Sequence, residues 1–162
     1  MNPPLTDIRK ATAADIDDIY EAHRNAVQYT CARAYDHATR ETWLGLLSPN
    51  SYVDALQAKE LWVVAYKGHI QGFFQLDVHL GELDALYVHP FVQNQGLGTA
   101  MLHQAEDLAL AAGVADLKLF ASLNSKAFYH LNGYDSLGQA KLTLSPDVSV
   151  ACTLMRKRLN AL

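Results

Sequence analysis

The chain has 162 residues, half of them hydrophobic and 19% charged, an ordinary globular composition that argues against disorder. Its length suits one domain over residues 1–162 with a substantial core, and its net charge of −4 gives no support to nucleic acid as a partner. Cys31 and Cys152 are too few and too far apart for a metal cluster or a disulfide framework, so a reducing cytoplasm is expected. The first residues lack the basic segment and apolar core of a secretion signal, and no run reaches membrane-spanning length.

In chain order, Leu5 to Lys10 reads as a strand. Thr12 then offers an N-cap with Asp15 as the acid of a capping box, and a helix is expected to about Tyr29. Ile16, Ile19, Tyr20, Ala26 and Val27 form its apolar stripe, and Asp15, Asp17, Asp18, Glu21 and Arg24 its wet side. His23 falls at the edge of the stripe, where packing explains it better than ligation. A short helix is expected from Thr39 or Arg40 to Leu47, and another after the Ser48-Pro49-Asn50 breaker. Leu61–Tyr66 and His69–Leu76 read as strands joined by the two-residue turn Lys67-Gly68.

The most informative stretch runs from Glu82 to Leu102. Leu83, Ala85 and Tyr87 alternate with Leu86 and Val88, as in a strand, and Pro90 ends it. Strict alternation puts Glu82 and Asp84 on the face of Leu86 and Val88. The turn Gln93-Asn94-Gln95-Gly96-Leu97-Gly98 follows, and a helix should run from Gly98 to Ala112 with Met101, Ala105, Leu108 and Ala112 inward and Gly113 as its left-handed cap. Such a turn aims main-chain N–H groups at one space, at the positive end of a helix, which suits phosphate. The nucleoside-triphosphate loop is absent, because no Lys-Ser or Lys-Thr follows Gly98, and the dinucleotide fingerprint lacks its first glycine.

Further on, Val114–Ala121 reads as a strand, parallel to the one before the turn by the crossover rule. Ser122-Leu123-Asn124 comes next, then Phe128-Tyr129 and Gly133-Tyr134. Asn124 can bond a ligand or cap the helix that begins at Ser125. The chain closes with a hairpin of Lys141–Leu144 and Val148–Met155 around Ser145-Pro146-Asp147, and Arg156-Lys157-Arg158 reads as a solvated tail. The histidines show no ligand spacing, so no metal is expected.

Gln93, two residues, Gly96, one residue and Gly98 resemble the acetyl-CoA motif of the GNAT superfamily of acyl-CoA-dependent N-acetyltransferases. The later asparagine, Phe-Tyr and Gly-Tyr stand where that family often has them, so the resemblance covers Glu82 to Tyr134. It implies an α+β fold: a mixed, mainly antiparallel sheet with helices on both faces and a splayed central strand pair that receives the pantetheine arm of CoA.

The resemblance also implies acetyl transfer from acetyl-CoA to an amine of unknown identity. Leu86, Tyr87, Val88, Gln93, Asn94, Gln95, Gly96, Leu97, Gly98, Thr99, Asn124 and Tyr129 would hold the cofactor. Tyr129 would be the acid for the departing thiolate and Glu82 the base, with Asp84 as the alternative; solvated acids on an exposed strand end are the rival reading. Tyr29, Tyr35 and Trp43 either line the acceptor site or form core beneath loops. Asn94-Gln95 replace the glycine and basic residue frequent in the family, which shifts phosphate binding onto main-chain donors. Two functional alternatives share the fold: a non-catalytic acyl-CoA-binding regulatory module, and an acyltransferase with another acyl group. A homodimer through the C-terminal hairpin is compatible with such folds, though no pattern here specifies one.

Overall fold

A computed structural model describes residues 6–93 and 95–159. Leu5, expected to begin the first strand, lies outside them, as does Asn94 of the glycine turn.

The strands are β1 Thr6–Lys10, β2 Glu60–Tyr66, β3 His69–Asp77, β4 Glu82–Val88, β5 Asp116–Ser122, β6 Asp135–Ser145 and β7 Val148–Arg158. The α-helices are α1 Ile16–Asn25, α2 His37–Leu46, α3 Val53–Ala58, α4 Leu97–Ala111 and α5 Lys126–Leu131. The strands form one sheet in the order β1-β2-β3-β4-β5-β7-β6, antiparallel except where β4 meets β5. The expected hairpin of β2 and β3 turns on Lys67 and Gly68, both at positive φ (53° and 83°), as a tight hairpin turn requires.

Each face of the sheet carries an apolar layer. On one, α4 lays Leu97, Met101, Leu102, Ala105 and Ala109 against Val64, Phe74, Leu83, Leu117 and Leu119. On the other, Ile19 and Ala22 of α1 and Ala55 of α3 meet Leu61, Val63 and Phe73. A third cluster of Val27, Cys31, Tyr35, Trp43, Leu44 and Val150 packs α2 against the β6–β7 hairpin.

Several sequence expectations change. The first helix ends at Asn25 and continues as a π turn over Ala26–Thr30, then a 3-10 turn at Cys31–Arg33. Asp15, expected on the wet side, is buried: both its oxygens accept from the Arg9 guanidinium (2.7 and 2.9 Å), and Thr12 N–H bonds it at 2.8 Å. That pairing holds its carboxyl down at about 2. α2 starts earlier than expected because the Asp36 side chain accepts from Thr39 N–H (2.8 Å) and caps it. In α4 the inward stripe includes Leu102, Glu106 and Ala109, while Ala112 is exposed.

Arg156-Lys157-Arg158 is no tail, since all three belong to β7. Lys157 Nζ sits 3.1 Å from both oxygens of buried Glu106, which also accepts from the Tyr134 hydroxyl at 2.8 Å. An acid inside an apolar layer needs such partners. Glu106→Ala strands the Tyr134 hydroxyl and the ammonium together, so it should cost about 2–4 kcal/mol of folding stability by urea titration. A loss below about 0.5 kcal/mol would mean that the network contributes nothing.

Candidate active site

β4 and β5 pair at two positions only, Glu82 with Lys118 and Leu83 with Leu119. Beyond Leu83 the strands part, and a cavity of about 270 Å³ opens between them. Its walls include Leu83 to Val88 on one side and Leu119 to Ser122 on the other, with Asn124, Phe128 and Tyr129 from the start of α5.

The geometry of β4 decides what the cavity meets. His89 N–H bonds Gln71 O across to β3 at 2.6 Å. In an antiparallel pair, bonding alternates, so Tyr87 and Ala85 also face β3 with their main-chain groups, in register with Phe73 and Gln75. The N–H and C=O of Leu86 and Val88 therefore point away from β3, into the gap. Val88 O accepts from the Gln93 side-chain amide (3.1 Å), which ties the glycine turn to the strand end, while Val88 N–H has no strand opposite it.

The acids sit differently from expectation. Gln75 pairs with Ala85 and Leu76 with Leu83, so Asp84 has no opposite residue and forms a β-bulge. The bulge breaks the alternation: Leu83 packs in the α4-side core with Leu86 and Val88, and Ala85 and Tyr87 pack on the α1 side. Glu82 and Asp84 thus do not continue the face of Leu86 and Val88. Asp84 lies on the cavity wall, bonded by Lys59 Nζ at 2.7 Å and the Gln75 amide at 3.1 Å. Glu82 lies at the closed end, where the strands still pair, and is not on that wall. Burial, and the Asp84 carboxyl beside it, push Glu82 up to about 7, against the pull of Lys118 and Lys59.

The described part of the glycine turn leads into α4, which begins at Leu97, one residue before the expected start at Gly98. Gly96 is the N-cap of α4 at φ 76°, a conformation that L side chains rarely adopt, and the first N–H groups of a 15-residue helix follow. Gly98 serves a different end, because a Cβ there would come within 3.3 Å of the Phe128 ring. Gln95 is exposed and half-buried Thr99 stands in the first turn, whereas the Leu97 side chain is core.

Asn124 does not cap α5; Ser125 occupies that place, and its N–H and hydroxyl bond Ser122 O at 2.9 Å. The Asn124 Oδ1 is buried, on the cavity wall, and without a partner among the described residues. Tyr129 is 6% exposed and also on the wall. Burial alone raises its hydroxyl above the ordinary phenol value and keeps it protonated.

Of the aromatics weighed for the acceptor site, Trp43 is core, 2% exposed and edge-on to Tyr35. The Tyr35 hydroxyl donates to Ala151 O and accepts from Leu123 N–H, a structural post rather than a cavity wall. Tyr29 is exposed beside Phe91, away from the cavity. His23 is packed, with Nδ1 2.8 Å from the Tyr52 hydroxyl and its ring stacked on Tyr87; burial pushes it down to about 3. The cavity's α1–α2 side is instead made by Ala26, Thr30, Cys31 and Arg33, which sequence reasoning missed as a site. No glycine or proline marks the π turn that brings them there.

The comparisons with known proteins agree with this architecture. The acetyltransferase (GNAT) domain model matches residues 26–143, so the chain belongs to the GNAT acetyltransferase family and is an enzyme of that N-acetyltransferase class. No curated protein sequence matches it. Among solved structures, it is similar to the GCN5-related N-acetyltransferase from Rhodopseudomonas palustris (TM-score 0.88, 23% identity, 98% of this chain and 99% of that one). It also resembles the PaiA N-acetyltransferase from Thermoplasma acidophilum, solved with coenzyme A (TM-score 0.78, 20% identity, 94% and 98%). A third likeness is YncA from Salmonella typhimurium, solved with its cofactor acetyl-CoA (TM-score 0.65, 22% identity, 98% and 96%). At these identities the likenesses establish the fold. No helix among the described residues is long and apolar enough to cross a membrane, and no group of three or more His, Cys, Asp or Glu is gathered there for a metal.

The state of Glu82 makes stability depend on pH. Its folded value of about 7 lies above the ordinary 4.5, so between those values the folded chain keeps a proton that the unfolded chain has lost. Stability therefore falls as pH rises through that window. Glu82→Gln removes the penalty, and its Tm relative to the parent should rise between pH 5 and pH 8. A difference independent of pH would contradict the assignment.

Proposed function

We propose that the chain transfers an acetyl group from acetyl-CoA directly to an amine, both bound at once, within a domain that spans residues 1–162. The observation that carries this reading is the gap between β4 and β5, where the Leu86 main-chain groups and the Val88 N–H face no strand and the buried Asn124 Oδ1 has no partner among the described residues. An extended chain of amides and a thioester, which is what the pantetheine arm supplies when bound, meets those needs as an added strand would. The fit extends to the phosphates, since the turn around Gly96 and the first N–H groups of α4 form an anion site.

The residues then divide the work. Gly96 to Thr99 hold the pyrophosphate by main-chain donors, with Gln93, Asn94 and Gln95 shaping the turn. Val88 N–H donates to the thioester carbonyl oxygen and favours charge there. Tyr129 gives its proton to the departing sulfur, and its burial suits it to this, because it stays protonated at neutral pH. The acceptor must attack as the neutral amine. Glu82 is the better base, since its value of about 7 lets it accept a proton near neutrality, while Asp84 is already engaged by Lys59 at 2.7 Å. Because Glu82 stands behind Asp84 rather than on the wall, it works through water at the bulge. The cytoplasm, with its acetyl-CoA and reduced thiols, is the compartment that this chemistry fits.

Tyr129→Phe is the direct test. Steady-state rates should show kcat lowered about a hundredfold or more, as for loss of a general acid, with the acetyl-CoA Kd by calorimetry changed less than about threefold. An unchanged kcat would remove the acid from Tyr129. Acetyl-CoA binding without turnover of any amine, in the parent protein, would favour a binding module instead.

A further inference from the structure

The cavity between β4 and β5 has two charged side chains on its wall, Asp84 and Arg33, and only one is neutralised by the protein. Lys59 Nζ holds Asp84 at 2.7 Å. Arg33 has no carboxylate within ion-pair distance among the described residues. Three positions earlier, Thr30 also lines the cavity, and its Oγ1 is buried without a hydrogen-bond partner among the described residues. Residues three apart on a helical turn share a face. The exposed Arg33 guanidinium, at the open side of the cavity, and the unsatisfied Thr30 hydroxyl therefore line the same wall.

Their backbone is fixed. The Arg40 guanidinium donates to Gln28 O (2.7 Å) and Tyr35 O (3.2 Å), bracketing the turn from both ends. The Tyr35 hydroxyl anchors the same segment to Ala151 and Leu123. Between Thr30 and Arg33 stands Cys31, a buried thiol pushed up to about 12 by burial and so an apolar wall rather than a nucleophile. The turn around Gly96 that serves phosphate leads into α4, on the other face of the sheet from α1.

A guanidinium offers two parallel donors and a hydroxyl a third, which together match the oxygens of a carboxylate. An ammonium group, by contrast, would be repelled at Arg33, whereas the Asp84 carboxylate, though paired with Lys59, still offers oxygen acceptors to an amine. We propose that the acceptor is a small amine that carries a carboxylate, of amino-acid type, with Arg33 and Thr30 reading the carboxylate while the amine faces Asp84. The inference rests on the acetyl-transfer reading and narrows its substrate class.

The test uses the whole purified chain, acetyl-CoA, and matched pairs: each common L-amino acid and its carboxamide, with spermidine as a purely cationic amine. The accepted free acid should exceed its amide in kcat/KM by roughly tenfold to a hundredfold, the range for hydrogen bonds to a charged group. Arg33→Gln should abolish that ratio through KM, with the acetyl-CoA Kd unchanged, and Thr30→Val should reduce it less. Equal or better use of amides or spermidine overturns the inference, as does an Arg33→Gln ratio equal to the parent's. So does an Arg33→Gln protein that loses acetyl-CoA affinity instead, which would assign the guanidinium to the phosphates. Acetyl-CoA bound with no free acid turned over also overturns it, and failure of the parent to bind acetyl-CoA at all is separately a failure of the transfer reading.

Discussion

The main-chain groups of Leu86 and Val88, turned toward β5 with no strand to meet them, are the constraint on which the site depends. In a continuous sheet each would be bonded to a neighbour, and leaving such a group buried and unpaired costs about 1–3 kcal/mol. The fold leaves the Leu86 groups and the Val88 N–H without a strand partner because β4 and β5 separate after a two-residue contact at Glu82–Leu83, while Val88 O is taken by the Gln93 side chain. A sheet that accepts this cost in its centre has a place for another extended chain.

What holds the gap open is distributed over the molecule. α4 and α5 lie against one face, in close contact where Phe128 meets Gly98. From the other face the π turn and its 3-10 extension reach across the cavity and end in Tyr35, whose hydroxyl ties them to Leu123 and Ala151. At the closed end, the bulge keeps Leu83 in the core while turning Asp84 toward Lys59 and Gln75. π turns and bulges recur where a protein re-aims side chains at a site, and here one of each flanks the cavity.

The parts of the site legible in the sequence are those fixed by local rules. The Gly96 turn needs a positive φ and precedes a helix, so its geometry follows from a few adjacent residues. Asn124 and Tyr129 were named by resemblance, and both line the cavity, with the Asn124 Oδ1 and the Tyr129 ring buried. The parts that were not legible depend on distant partners. The bulge at Asp84 is a matter of register against β3, which alternation within β4 cannot reveal. Glu106 looks like a surface acid until Tyr134 and Lys157, 28 and 51 positions away, arrive beside it. Trp43 fitted core and site equally well, and only the packing of α2 on the β6–β7 hairpin separates the two. Arg33 carried no signal, because its meaning lies in the absence of a neighbouring acid.

The most direct measurement is amide hydrogen exchange resolved by residue, with and without acetyl-CoA. Ala85 and Tyr87 already face β3, so their exchange should change little, while Leu86 and Val88 should become strongly protected on binding. Protection spread evenly over all four amides, or none at Leu86 and Val88 despite bound acetyl-CoA, would contradict a cofactor that completes the sheet at this gap.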